Sequence, residues 1–184
     1  DIGEQHPANM SLDEIAKATE RSRALVAQIL MFSRRQALEL TAQNLAPLLQ
    51  EDVRLLRATI PASVQWELSL GALPVYVRCN PAQISQILIN LCTNAYHAMA
   101  NGKGRIALSL DEVQFGAAEM LHGNPLQTGR YARISVRDDG HGMDAATQAR
   151  VFEPFFSTNP IGTGTGLGLS VVHGIVKSHH GAIR

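Results

Sequence analysis

Cysteine is nearly missing from this chain. Its 184 residues hold two, Cys79 and Cys92, at no spacing that suits a metal, so neither a disulfide framework nor a zinc site is encoded. Each lies in an apolar-patterned segment, which predicts buried free thiols and a reducing, cytoplasmic setting. Net charge is missing too: Lys plus Arg and Asp plus Glu number 16 each. General binding to nucleic acid or to an anionic membrane surface draws on a basic surplus that this balance lacks. No apolar run approaches the roughly 18 residues of a membrane span. The polar N-terminus carries no mark of a signal peptide, and any membrane anchor of the parent protein is expected outside this sequence. Repeats and low-complexity tracts are absent. With 45% hydrophobic and 17% charged residues, the chain reads as globular, long enough for one compact core plus an appended element.

Residues 1–10, with Gly3 and Pro7, read as a loop. Ser11-Leu-Asp-Glu14 then forms a capping box, in which Ser11 and Glu14 satisfy free amides at a helix start. The helix is expected to run to about Gln36. Ile15, Ser22 and Ile29 recur every seven residues, as do Ala18, Leu25 and Phe32, and Val26 and Leu30 widen the seam. A stripe this wide needs partners, in a four-helix bundle or coiled coil, or else on its own domain. A boundary near residue 40 divides the chain into 1–40, a helical element, and 41–184, a second domain.

In that second part Pro47 suits the first turn of a helix whose apolar residues are Leu48, Leu49, Val53, Leu55 and Leu56. Ser63 to Leu70 alternates Val64, Trp66, Leu68 and Leu70, the pattern of a half-buried strand. A short strand, Val75 to Cys79, precedes Asn80-Pro81, which caps and starts a helix reaching about Ala100. Ile106, Leu108 and Leu110 mark another strand. Residues 111–130 read as irregular, a loop or a decorated hairpin. Tyr131 to Arg137 is a strand with Ile134 and Val136 inward. A short helix is expected near Ala145 to Val151 and a last one from about Gly168 to Ser178. This order is that of an α+β layer sandwich rather than a doubly wound parallel sheet.

Three segments carry candidate chemistry. On the helix from Pro81, the apolar stripe is Ile84, Ile87, Leu88, Leu91, Ala95 and Ala98, while Asn90, Asn94 and His97 share a face off it. That face is either a plain solvated surface or a set of neutral ligands, since a carboxamide oxygen suits Mg²⁺ that already carries phosphate oxygens. After the strand comes Asp138-Asp-Gly-His-Gly142. Its glycines allow close approach and positive φ, and Asp138 can accept a hydrogen bond from an exocyclic amine such as adenine N6; ordinary turns use the same residues. Third, Gly162-Thr-Gly-Thr-Gly-Leu-Gly168-Leu-Ser170 opens an apolar helix, where free amides make an anion site. It is not a Walker A loop, for no Gly-Lys-Ser/Thr follows, and no strand leads into it as in a Rossmann fingerprint. Between the last two lies Phe152-Glu-Pro-Phe-Phe156-Ser-Thr158, aromatics suited to anchoring a segment that closes over ligand.

Together these resemble the sensor histidine kinases of two-component systems, within the GHKL superfamily. Asn90-Leu-x-x-Asn94-Ala resembles their N box, Asp138-x-Gly-x-Gly142 the G1 box, Phe152-Glu-Pro-Phe-Phe156 the F box, and Gly164-Thr-Gly-Leu-Gly168-Leu-Ser170 the G2 box. Glu20-Arg-x-x-x-Leu25 through Phe32-Ser-Arg34 is similar to the second helix of the dimerisation and phosphotransfer hairpin. The resemblance implies a Bergerat-type two-layer α/β sandwich with a mixed sheet, preceded by that helix. It implies ATP and Mg²⁺ as ligands, with Asn94 on Mg²⁺ and Asn90 assisting. Asp138 would read adenine, Gly140 and Gly142 shape the base pocket, and His97 lie near the phosphates. Gly164, Gly166 and Gly168 would present amides to phosphate from a lid that Phe152, Phe155 and Phe156 anchor, with Thr163, Thr165 and Leu167 also among the ATP-binding residues. The implied reaction moves the ATP γ-phosphoryl group to a histidine and then to a response-regulator aspartate. The parent would be a homodimer through residues 11–36.

The sequence departs from the family pattern in places. The family's phosphoacceptor belongs on a helix expected before residue 1, outside this sequence, and His6, in a loop without an acidic residue after it, is a poor candidate. His179 and His180, near a helix end, are expected at the surface. Asn159 stands where relatives often place a lid Lys, and the C-terminal strands of relatives are expected beyond Arg184. Two other readings compete with the kinase: a docking pseudokinase, and an ATP-hydrolysing clamp like gyrase or Hsp90. Such clamps usually carry a base glutamate where this chain has Asn90, which cannot take a proton.

Overall fold

The structure, a computed structural model, describes residues 39–99, 102–116, 119–121, 124–158 and 165–184. The expected helix of residues 11–36, its pairing role and His6 lie outside them. Eleven elements run β1 (Thr41–Asn44), α1 (Leu45–Thr59), β2 (Val64–Ser69), β3 (Tyr76–Cys79), α2 (Pro81–Ala98), β4 (Gly104–Phe115), β5 (Glu119–Leu121), β6 (Asn124–Leu126), β7 (Gly129–Asp138), α3 (Ala145–Arg150) and α4 (Gly168–Ser178).

The central sheet has the order β2-β4-β7. β2 runs parallel to β4 and β7 antiparallel to it, so the sheet is mixed, as expected. Ile106, Leu108 and Leu110 of β4 are buried to 1% exposure or less, and they belong to one core with α1, α2 and α4. On α1, Leu45, Leu49, Val53 and Leu56 recur at helical spacing and are all buried. Each such burial contributes about 1.5–3 kcal/mol. Leu55, on the opposite face, is exposed.

Local signals set the helix starts. Asn44 caps α1 by accepting from the Ala46 amide at 3.3 Å, which places Pro47 in the first turn. Asn80 caps α2 by accepting from the Gln83 amide at 3.2 Å, with Pro81 leading the helix. Cys79 and Cys92 are free and buried. Burial raises both thiols, Cys92 to about 12, where the Asp52 carboxylate adds to the rise.

Residues 111–130 are more ordered than their pattern suggested. β4 continues to Phe115 and pairs with β7 down to Phe115↔Gly129, and β5 and β6 form a small antiparallel hairpin at the tip. The backbone ladder holds this extension, and its faces carry exposed cross-strand ion pairs, Arg133–Asp111 at 3.2 Å and Arg130–Glu112 at 3.4 Å, and the edge-on rings of Phe115 and Tyr131. None of these shows as alternation within one strand. β1, also unforeseen, holds because it pairs with β3 from Thr41↔Cys79 to Asn44↔Tyr76.

Candidate functional site

The polar face of α2 divides in two. Asn94 and His97 are exposed, but Asn90 is only 9% exposed, so the expectation of one open face fails at Asn90. What covers it is the start of α4: a Cβ placed on Gly168 would sit 3.6 Å from Asn94 Nδ2 and 3.8 Å from Asn90 Oδ1. These are ordinary contact distances, so the start of α4 lies beside both amides. Asn90 Oδ1 accepts from Gln86 Nε2 at 3.3 Å, while its buried Nδ2 finds no partner among the described residues. An unmatched buried donor costs about 1–3 kcal/mol. His97 is exposed, its ring 5.9 Å from that of Tyr96.

Among the described residues α4 has no side-chain cap. Leu167 occupies the cap position with its carbonyl accepting from Val171 N–H at 2.9 Å and from Ser170 Oγ at 2.8 Å. The first-turn amides are therefore open to an anion, and the helix dipole favours one. Thr165 Oγ1 accepts from the Leu167 amide at 3.4 Å. Gly166 has φ +65°, and a Cβ on it would fall 2.5 Å from the Phe155 carbonyl carbon, so the glycine-rich segment rests on the backbone of the aromatic one. Thr163, Gly164 and Asn159 lie outside the described residues.

The turn after β7 is fastened to the other end of α2. Asp138 Oδ1 accepts from Gly140 N–H at 2.8 Å, and the His141 amide donates to the Ala98 carbonyl at 3.1 Å. Gly140 is pressed against Ala98, whereas Gly142 has open space but φ +69°. The two glycines thus serve different needs, close approach and left-handed backbone. The second oxygen of Asp138 accepts no hydrogen bond among the described residues, which leaves an acceptor for a base amine. Asp139 and Glu67 both pair with Arg105, at 3.4 and 3.1 Å; these exposed pairs contribute little.

The aromatic segment packs through its rings. Phe152 stacks on His173 of α4 with centroids 5.3 Å apart, and the Arg150 guanidinium lies 4.4 Å above Phe156. Phe155 is exposed and holds φ +66°. Two histidines gain roles that their sequence positions did not signal. His173 is this stacking partner. His179, expected at the surface, is half-buried and hydrogen-bonded to the cap of α2 across 99 positions.

Residues 79–184 match the family described as histidine kinase-, DNA gyrase B- and HSP90-like ATPase, and the chain belongs to that family. It is similar to the sensor kinase CckA of Brucella abortus, 34% identical over 177 residues, which cover 96% of this chain and 19% of that protein. The chain therefore spans well under a third of that relative. The catalytic domain of histidine kinase ThkA superposes with a TM-score of 0.60 at 26% identity, over 77% of this chain and 82% of that one. ThkA in complex with its response regulator TrrA gives 0.69 at 24% identity, over 97% and 47% of the two chains. Full-length ShkA in complex with AMPPNP gives 0.68 at 22% identity, over 92% and 34%. The architecture is that of histidine kinase catalytic domains, the Bergerat-type sandwich.

Proposed function

We propose that this chain is the Mg–ATP-binding catalytic part of a sensor histidine kinase, with residues 1–40 contributing the second helix of a dimerising hairpin and 41–184 forming the catalytic domain. The observation that carries the reading is the meeting of Asn90 and Asn94 with the uncapped, glycine-led start of α4. Neutral oxygen donors and open amides converge there, which is what a metal-bound polyphosphate needs.

The donor set fits Mg²⁺ with phosphate: Asn94 is the exposed carboxamide that would hold the ion, and Asn90, buried with an unmatched Nδ2, would assist. When bound, Mg²⁺ supplies charge neutralisation on the phosphate oxygens. The protein does the remainder by placement. Asp138 accepts from the adenine amine, and Gly140, packed on Ala98, and Gly142, with its left-handed backbone, shape the base pocket. The amides from Thr163 through Gly168 meet phosphate, and His97 stands one turn beyond Asn94. Phe152 seats the covering segment on His173 of α4, Phe156 packs under Arg150, and Phe155 stays exposed beside them. A histidine imidazole nitrogen, supplied outside this site, attacks the γ-phosphorus, the bond to the bridging oxygen breaks, and ADP leaves. Positioning and electrostatics are the main contributions in such transfers.

The phosphoryl group then passes to an aspartate of a response regulator, a partner supported by the ThkA–TrrA complex, while the ShkA complex supports an ATP-like ligand. The parent works as a homodimer. The domain works in the cytoplasm, as its two buried thiols support; no helix among the described residues is long and apolar enough to cross a membrane. Asn90 carries no carboxylate to activate water, which separates this site from hydrolysing clamps of the same family.

Calorimetric titration of the purified chain with AMPPNP, with and without Mg²⁺, tests the reading. Mg²⁺-dependent binding is expected, and Asp138→Ala should weaken it about ten- to hundredfold, the size of a lost hydrogen bond to a charged group. Folded protein that binds no nucleotide, or an Asp138→Ala variant that binds as tightly as the parent, would overturn it.

A further inference from the structure

The helices that bear the two halves of the site, α2 and α4, touch at both ends. At one end Gly168 meets Asn90 and Asn94. At the other, the backbone N–H of Asn80, the cap of α2, donates to His179 Nε2 at 3.2 Å. Asn80 lies ten residues before Asn90, and His179 eleven after Gly168. At a rise of about 1.5 Å per residue, both intervals span about 15 Å of helix, so the two contacts bracket an antiparallel pair.

The chemistry of the far contact is specific. Nε2 can accept only if it carries a lone pair, which in a neutral ring puts the proton on Nδ1. Nδ1 lies 2.9 Å from the Ile175 carbonyl, a partner that can only accept. The Ile175 carbonyl also receives Ser178 Oγ at 2.7 Å and the His179 amide at 3.1 Å. The ring is thereby oriented by α4 and aimed at the first residue before α2.

We propose that His179 is a positioning residue of the nucleotide site: its Nδ1–H tautomer fixes the axial register of α4 against α2, and so the distance from the α4 amides to Asn90 and Asn94. This rests on the Mg–ATP reading. The adenine end does not depend on that register, because the turn after β7 is fastened to Ala98 of α2 itself. His179 should therefore matter for a ligand that spans both helices and not for one held mainly by its base.

The test compares His179→Phe, which removes both polar atoms, His179→Asn, which keeps a donor near Nδ1 but lacks reach, and His179→Gln, whose Oε1 reaches the Nε2 position. Each variant is titrated with AMPPNP plus Mg²⁺ and with adenosine, which carries no phosphate, after circular dichroism shows that it is folded. The expected result is about tenfold weaker Mg–AMPPNP binding for Phe and Asn, a change that one lost hydrogen bond produces. Adenosine binding should be unchanged, and Gln should restore Mg–AMPPNP binding. Equal losses for both ligands, no loss in Phe or Asn, or no rescue by Gln would overturn the assignment. Should the parent chain itself bind neither ligand, the nucleotide reading fails instead. If Phe does not fold, Asn against Gln decides.

Discussion

Gly140→Ala adds one methyl group at the tightest point of the site. The new Cβ would lie 2.6 Å from Ala98 Cβ, 2.6 Å from Asp138 Oδ1 and 2.9 Å from the Ala98 carbonyl oxygen. Carbon atoms sit at about 3.5–4.0 Å in comfortable contact, so the turn must retreat by roughly 1 Å. Ala98 cannot yield easily: one of its two atoms is helix backbone, and that carbonyl already accepts from His141. Forced repacking of this kind costs about 1–3 kcal/mol. Urea unfolding of the full chain, with the slope held constant, measures it. A cycle with Ala98→Gly isolates the cause, because that change removes the Cβ clash while itself costing about 1 kcal/mol of helix propensity. The double variant should be more stable than the sum of the singles by at least about 0.5 kcal/mol. Gly142 is the control. Nothing lies within 4 Å of the point where its Cβ would fall, so its cost is the left-handed backbone, roughly 1–2 kcal/mol for Ala and less for Asn. Gly142→Asn should therefore be milder than Gly142→Ala, while Gly140→Asn should be worse than Gly140→Ala. Strict additivity in the cycle, or the same Ala-to-Asn order at both positions, would refute the steric argument.

Three further changes probe other parts of the fold. His180 holds φ +56° at the end of α4, where Gly181 N–H reaches the Val176 carbonyl at 2.9 Å and His180 N–H the Lys177 carbonyl at 3.1 Å, the Schellman arrangement that favours glycine. His180→Gly should raise stability by about 0.5–1 kcal/mol, seen as a higher melting temperature; a decrease would count against the backbone strain. Asp52 is buried and accepts from Ser85 Oγ at 3.0 Å, and burial raises its carboxyl above the usual 3.8. A raised acid binds its proton more readily when folded, so its charge destabilises the protein as pH climbs from 3.8 through the folded pKa. Asp52→Asn should melt higher at pH 7 and show less loss across that window, with the opposite slope sinking the idea. Asn90→Leu removes the unmatched Nδ2 and should raise melting temperature while abolishing Mg–AMPPNP binding; destabilisation would mean that the amide is matched in solution.

The parts legible in the sequence are those fixed within a few residues. The Asn80-Pro81 start of α2 fell where the chain places it because a cap acts across one turn, and the Gly168 start of α4 because the change from a glycine-rich run to an apolar helix is also local. The alternation of Ile106, Leu108 and Leu110 was equally local. What the pattern hid depends on a distant partner. Residues 111–115 carry Asp, Glu and Gln, which read as loop, and become strand because their backbone pairs with β7 from Asp111↔Arg133 to Phe115↔Gly129. Asn90 sits on the polar side of a helical wheel and is buried nonetheless, since the element that arrives there brings a glycine and no side chain. His179 gave no sign at all, because its partner is a backbone amide 99 residues away.

The same contrast explains how the site is held. The groups proposed to face ligand are few and, among the described residues, poorly satisfied: an exposed Asn94, an unmatched Asn90 amide, a helix start without a cap. A fold selected only for stability would fill each of these. Their supports are the reverse, closely packed or fully hydrogen-bonded: Gly140 against Ala98, Gly166 against Phe155, His179 between Asn80 and Ile175. Rigid neighbours around unsatisfied groups keep the free donors and acceptors aimed at the space a ligand would take. Binding then recovers energy that the empty fold forgoes, so nucleotide should raise the melting temperature through the site itself.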